Sequence, residues 1–550
     1  MTAERTLPAH AICRKVVVDF RTGANDSLRM IRRFVLCCCI CSVTVAGPVS
    51  AQHHELGAVT FETSCRPAVK AEFEKGVAML HSYWFNYAGK TFRGVLEQDP
   101  SCAMAYWGIA LDLMGNTLSS PPSKQAARQA WEVLEKARSV PATTEREGLW
   151  IEAARNYFRD HDKVPVEQRL ERYNDAMRRI AEKYPDDFEA QVYYALTLQS
   201  SAPKADVTYA NQRKSAAMLE ELYKKAPQHP GITHYLIHAY DFAPLADQGI
   251  PAARRYASIA PAVPHARHMP AHIYSMAGLW QDSITSNLSA LEIQPDYYHA
   301  ADFTVYAHLQ LAQDETAAKM IATSLATPER GDRPPSMANY TAKAAMPARY
   351  VLERADWGAA AALPITPTEY PQADSLTHFT RGLGMARLGN TKGAAAEIDA
   401  MNRLRAAMAK SGDAYWAART EEQIHAVAAW VALAGGAREK AAALMRQAAD
   451  GEDASIKHVA MENRLYPMRE LLAELLLEAG NAKDALAEFR RSLAQQPNRY
   501  RGVYGAARAA EALGDRAIAA EYYGKVIELS KTAEGTRPEL ERARAFVGQR

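Results

Sequence analysis

Cysteine is scarce where it would matter. Five of the seven, Cys13, Cys37, Cys38, Cys39 and Cys41, fall within the first 51 residues, and only Cys65 and Cys102 follow. That excludes a cysteine-ligated zinc module or a Cys-x-x-Cys redox pair beyond residue 51. A charge excess is missing too: after residue 51 there are 58 basic against 60 acidic residues, a net of −2. The footprint of a nucleic-acid or anionic-membrane binder is therefore absent, and no nucleic-acid partner is expected. The sequence has no Gly-rich phosphate loop and no Gly-x-Ser-x-Gly elbow, which removes the usual signatures of nucleotide and serine-hydrolase chemistry. Strand signals are few, with residues 58–63 as a short extended lead-in.

The one apolar run, Phe34 to Cys41, is too short for a membrane span. It follows Arg29, Arg32 and Arg33 and leads to Val49-Ser50-Ala51. A basic region, a short apolar region and a small-residue cleavage site read as a signal peptide over 1–51. An uncleaved anchor is the alternative, and Met30 is a second candidate start. The expectation is a periplasmic or secreted protein with no stable membrane span after cleavage. Cleavage after Ala51 would leave Gln52-His53-His54, an amino-terminal arrangement able to chelate Cu(II).

What is present is periodicity. Gly480 and Gly514 are 34 residues apart, as are Ala485 and Ala519, and Phe489 and Tyr523. Gly278 to Pro295 repeats the 17-residue interval from Gly480 to Pro497. This period resembles the tetratricopeptide repeat, a helix–turn–helix unit. The fold expected is all-α, a right-handed solenoid of such repeats. N-terminal repeats are assigned to 52–205, a histidine-rich set to 206–330, irregular helical repeats to 331–462, and regular repeats with a capping helix to 463–550. The capping helix has a start signal in Thr536 and Glu539, with Pro538 in its first turn. Proline-rich connectors are expected at 327–336 and 364–371. Trp107, Trp131, Trp150, Trp357 and Trp416 fall on apolar helical stripes and read as core. In this register Cys65 and Cys102 open equivalent neighbouring helices, so one disulfide is expected, with two buried thiols as the alternative.

Sixteen histidines occur, eight of them between His229 and His308. The register puts His234 and His238 on a first helix over 230–241. It puts His265, His268 and His272 on the next, over 265–277, and His299 and His308 on a third, over 298–311. The second helices, 249–260 and 281–293, contain none. First helices line the concave groove of such a solenoid, so the histidines converge there. His234/His238 and His268/His272 are i,i+4 pairs, each on one helical face. Four imidazoles from adjacent helices suit zinc or copper. Tyr240, Asp241, Tyr274 and Asp302 are neighbouring candidates for ligand contacts, with His265 and His299 beside the pairs. Pro270 threatens the second pair with a kink. His81, beside Tyr83 and Trp84, reads as core packing first and a groove contributor second.

The stretches Ile232–Asp241, Pro264–Tyr274 and His299–Leu309, with Thr63–Cys65, Gly76–Trp84 and Asp99–Trp107, look like those of a group of exported bacterial tetratricopeptide proteins of similar length. The resemblance covers about residues 56–360 and implies the fold and export, with no reaction attached. The leading expectation is an exported scaffold that binds a protein, peptide or small ligand in its groove. The alternative is a metal-dependent enzyme, zinc or copper, built on the same histidines. Metal-free ligand contacts and plain packing remain open roles for them.

Overall fold

Gly480 and Gly514 both take left-handed φ values, +88° and +75°. Each turns one helix into its partner: Met468–Glu478 into Ala482–Gln495, and Tyr500–Ala512 into Arg516–Leu529. Glycine tolerates this conformation because it has no Cβ. Behind the turns Ala485 and Ala519 are buried at the helix crossings, and Phe489 and Tyr523 fill the layer beyond.

The computed structural model describes residues 55–548 apart from 120, 141–143, 331–335, 459–462 and 536. The expected signal peptide over 1–51, Gln52-His53-His54 and Thr536 lie outside the described residues. Among the described residues helix follows helix from Lys70 to Gly548. No strand forms there, 58–63 included, apart from an isolated bridge between Gln313 and Glu534. The fold is the all-α, tetratricopeptide-type solenoid. No helix among the described residues is long and apolar enough to cross a membrane. Cys65 and Cys102 are disulfide-bonded, with sulfurs 2.05 Å apart. Cys102 immediately precedes the helix Ala103–Met114, and Cys65 precedes the short turn leading into Lys70–His81.

The two helices of a pair differ in character. Second helices such as Val166–Lys183 carry one apolar stripe, here Tyr173, Met177 and Ile180, and expose the opposite face. Two first helices are buried all round. Every residue of Pro230–Tyr240 and of Tyr298–Gln310 is buried. A helix buried on all sides needs cover beyond its own partner, and here the second cover comes from distant turns of the solenoid. Lys70–His81 packs on Pro230–Tyr240, and Tyr298–Gln310 packs on Tyr500–Ala512. Trp280 Nε1 donates to the Asn498 carbonyl at 2.9 Å. Gly278 (φ +68°) approaches so closely that a Cβ there would lie 2.4 Å from the Pro497 oxygen. Arg537 pairs with Asp314 across the same junction.

The concave groove is covered along part of its length. Successive pairs rotate far enough for the solenoid to close on its own concave side. Residues 454–458 also cross that side, past the C-terminal ends of three first helices. The Ile456 amide donates to the Lys204 carbonyl at 2.9 Å, Lys457 Nζ to Asp241 Oδ1 at 2.7 Å, and His458 Nε2 to the Ser119 carbonyl at 2.9 Å. The apolar core is divided accordingly. One large cluster runs from Leu56 to Tyr274, another from Ala312 to Ala543, and two small ones lie between them. The histidines sit at this seam.

Candidate metal centre

Three consecutive first helices build the site: Pro230–Tyr240, the broken helix Pro264–His268 and Pro270–Met276, and Tyr298–Gln310. The first starts cleanly because the His229 ring accepts from the Ile232 amide and Pro230 occupies the first turn. The second is interrupted at Met269, which keeps α-helical angles (φ −52°, ψ −35°). Pro270 thus divides the hydrogen-bond ladder without redirecting the chain, and His268 and His272 still share a face.

The structure brings together His234, His238, His265, His268, His272 and His299. The grouping differs from the four-histidine set expected, His234, His238, His268 and His272. Ligand nitrogens of His234, His238 and His265 lie within 4.8 Å of one another, and so do those of His268, His272 and His299. The i,i+4 pairs separate because each is completed by a different third residue. His265 opens the broken helix beside the first pair, and His299 reaches over from the next helix to the second. Asp241 joins the two sets, since ligand atoms of His238, Asp241 and His272 also fall within 4.8 Å.

Hydrogen bonds fix which ring nitrogens face inward. Asn287 Nδ2 donates to the Ser283 carbonyl, so Asn287 Oδ1 is left to accept from His268 Nδ1 at 2.6 Å. Asp241 Oδ1 takes Lys457 and Oδ2 accepts from His272 Nδ1 at 2.9 Å. His234 Nδ1 donates to the His81 carbonyl at 2.6 Å. In all three rings the outer nitrogen is committed as the donor and Nε2 faces inward, where His268 Nε2 and His272 Nε2 share a hydrogen bond at 2.9 Å. His265 Nδ1 meets the Tyr297 hydroxyl at 2.8 Å, and a hydroxyl can serve either tautomer. Burial lowers the His234 pKa to about 3 and pushes His265 well below the ordinary value, with His234 and His268 adding to the effect on His265. Neutral rings with inward lone pairs are the state in which imidazole ligates metal.

His81, Glu189 and His229 form a neighbouring cluster of a different kind. The Ile232 amide engages His229 Nδ1, so His229 Nε2 donates to Glu189 Oε1 at 2.9 Å. Tyr235 donates to His81 Nδ1 at 2.9 Å, and His81 Nε2 donates to Glu189 Oε2 at 2.8 Å. Burial alone would raise the Glu189 carboxyl, but the two imidazoles bring it down to about 2. Every proton has a place, so this cluster holds His81 rather than a metal, and His81 in turn holds His234. The packing there is tight: a Cβ on Gly231 would lie 2.5 Å from His81 Nδ1. Cys65, Asp99 and Cys102 also lie close together, but the disulfide removes both thiolates.

Three expected neighbours point elsewhere. Tyr240 donates to Glu220 on the second-helix side at 3.3 Å. Tyr274 feels Asp282 and Arg254, and Asp302 is engaged by Arg349 at 2.8 Å. His308 bonds Gln313 at 2.6 Å, away from the cluster. Asn287, Lys457, Tyr297 and Glu189 were not singled out from the sequence. Asn287 carries a readable signal, as a polar residue on the buried stripe of a second helix beside Ser283.

No protein-family profile matches the chain. No curated protein sequence matches it either. Similar solved structures include two of the human IFIT1 dimer. One, with m7Gppp-AAAA, is 11% identical and covers 78% of this chain and 90% of that one at a TM-score of 0.36. The other, with PPP-AAAA, is 13% identical and covers 84% and 88% at the same TM-score of 0.36. A likeness this distant carries no argument about what this chain binds.

Proposed function

We propose that this chain is an exported helical-repeat metalloprotein that holds a zinc or copper ion between His268, His272 and His299. One observation carries the reading. His268 Nε2 and His272 Nε2 face each other at 2.9 Å, while both outer nitrogens are committed as donors. At that distance the two inward nitrogens need a positive centre between them, a shared extra proton or a metal cation. With metal–nitrogen bonds of about 2.0–2.1 Å, a 2.9 Å separation subtends about 90° at the ion, an angle that tetragonal sites adopt and tetrahedral sites reach by opening slightly.

The filled concave side weighs against a protein or peptide laid along it. It favours a small ligand that reaches the ion past the half-buried Tyr83, His265 and Tyr297. The balanced charge of residues 52–550 supports no nucleic-acid partner.

Metal analysis of untagged protein made in an exporting host tests the proposal. Stoichiometric zinc or copper is expected, and His272→Ala should lose the ion at this site. A folded, metal-free protein that cannot be reconstituted with either ion would overturn the reading.

A further inference from the structure

We propose that His234, His238 and His265 form a second metal site beside the first, making the centre binuclear. The inference rests on the reading of His268, His272 and His299 as a metal site. Its own observations are separate from those above.

His234 Nε2 and His265 Nε2 lie 3.1 Å apart. At ordinary metal–nitrogen lengths of about 2.0–2.1 Å that separation subtends roughly 98° at an ion. His234 is the better anchored of the two. The His81 carbonyl fixes its tautomer, and its ring stacks on Tyr256 with centroids 5.2 Å apart and planes inclined by 14°. The anchor is itself anchored, since Tyr235 and Glu189 immobilise the His81 ring. Such outer contacts orient metal-binding imidazoles and raise their basicity. His238 completes the set one helical turn after His234, with ring centroids 4.8 Å apart.

The two sets are close enough to act together. Ring centroids of His238 and His272 are 5.9 Å apart, and those of His265 and His268 are 6.1 Å apart. Sets this close would place two ions as neighbours, as in two-metal centres. Three nitrogen ligands leave a fourth position on each ion. Those positions would suit water or a small oxygen-donor molecule as the ligand of the pair. Asp241 ties the sets mechanically, because it fixes His272 from the end of the helix that carries His234 and His238.

The test is a titration of the metal-free protein, residues 52–550, with Zn(II) alone and with Cu(II) alone, read by calorimetry and by paramagnetic resonance. Two zinc ions per chain are expected, and for copper a spin-coupled signal distinct from any uncoupled Cu(II) held by Gln52-His53-His54. His265 is half-buried, so His265→Gln should fold with an unchanged circular dichroism spectrum, bind one ion and lose the coupling. One zinc ion per wild-type chain, with no spin coupling in the copper titration, would overturn the second site and leave the first standing. No ion at all would overturn both.

Discussion

His268 and His272 meet nitrogen to nitrogen at 2.9 Å across a proline, and each is held in that pose from behind, by Asn287 and by Asp241. On the proposed reading a metal cation would take the place of the proton shared by the two rings, and its binding would add to stability.

Zinc at a hundredfold excess over its dissociation constant should stabilise the protein by about 2.7 kcal/mol, read as a rise in melting temperature. His272→Ala removes one of the two opposed nitrogens, and the zinc response of this site should vanish. An unchanged response to zinc in that variant would contradict the assignment.

Asn287 touches no metal in this account, yet it sets the His268 tautomer. Asn287→Ala should weaken metal binding about 10- to 100-fold, as the loss of such outer contacts does. Asn287→Asp keeps the acceptor and should recover most of the affinity. Calorimetric titration of both variants separates positioning from simple packing, which the aspartate would not restore.

Acid should destabilise the metal-free protein. Burial holds His234 at about 3 against an ordinary 6.5, and lowers His81 and His265 as well. The unfolded chain takes up protons near pH 6.5 and the folded chain does not. Stability is therefore present above 6.5 and is lost as pH falls toward the folded values. The loss is about 1.4 kcal/mol per pH unit for each such histidine. Urea midpoints at pH 7.5, 6 and 5 should fall steadily, and a flat series would contradict the buried neutral state.

Lys457 reaches Asp241 from 216 residues away. Lys457→Met should cost about 3 kcal/mol, because it leaves a buried carboxylate without its counter-charge. It should also open residues 454–458 to protease before the rest of the chain. Equal stability and equal protection in the variant would show the pair to be incidental.

The helices and the histidine faces were legible in the sequence because both are local. A 3.6-residue period puts His234 beside His238, and His268 beside His272, whatever lies around them. The same period had already turned Tyr240 and Tyr274 away. Each follows a site histidine by two residues, a rotation of about 200°. Asp302 stands on the correct face, one turn after His299, but Arg349 claims it from a helix the sequence does not place. The meeting of Lys457 with Asp241, and of His81 with Tyr235, depends on rotation accumulated over several helix pairs. No short stretch of sequence carries that sum. The closing of the concave side follows from the same rotation, and its trace in the sequence is that helices such as Tyr298–Gln310 carry no Lys, Arg or Glu.

The most direct measurement is anomalous X-ray scattering from crystals of the metal-loaded protein, recorded on both sides of the zinc or copper edge. The account predicts a peak about 2.0–2.1 Å from His268 Nε2 and His272 Nε2, with a ring nitrogen of His299 as the third ligand. Crystals loaded with metal that show no peak there, with the two rings still 2.9 Å apart, would contradict it.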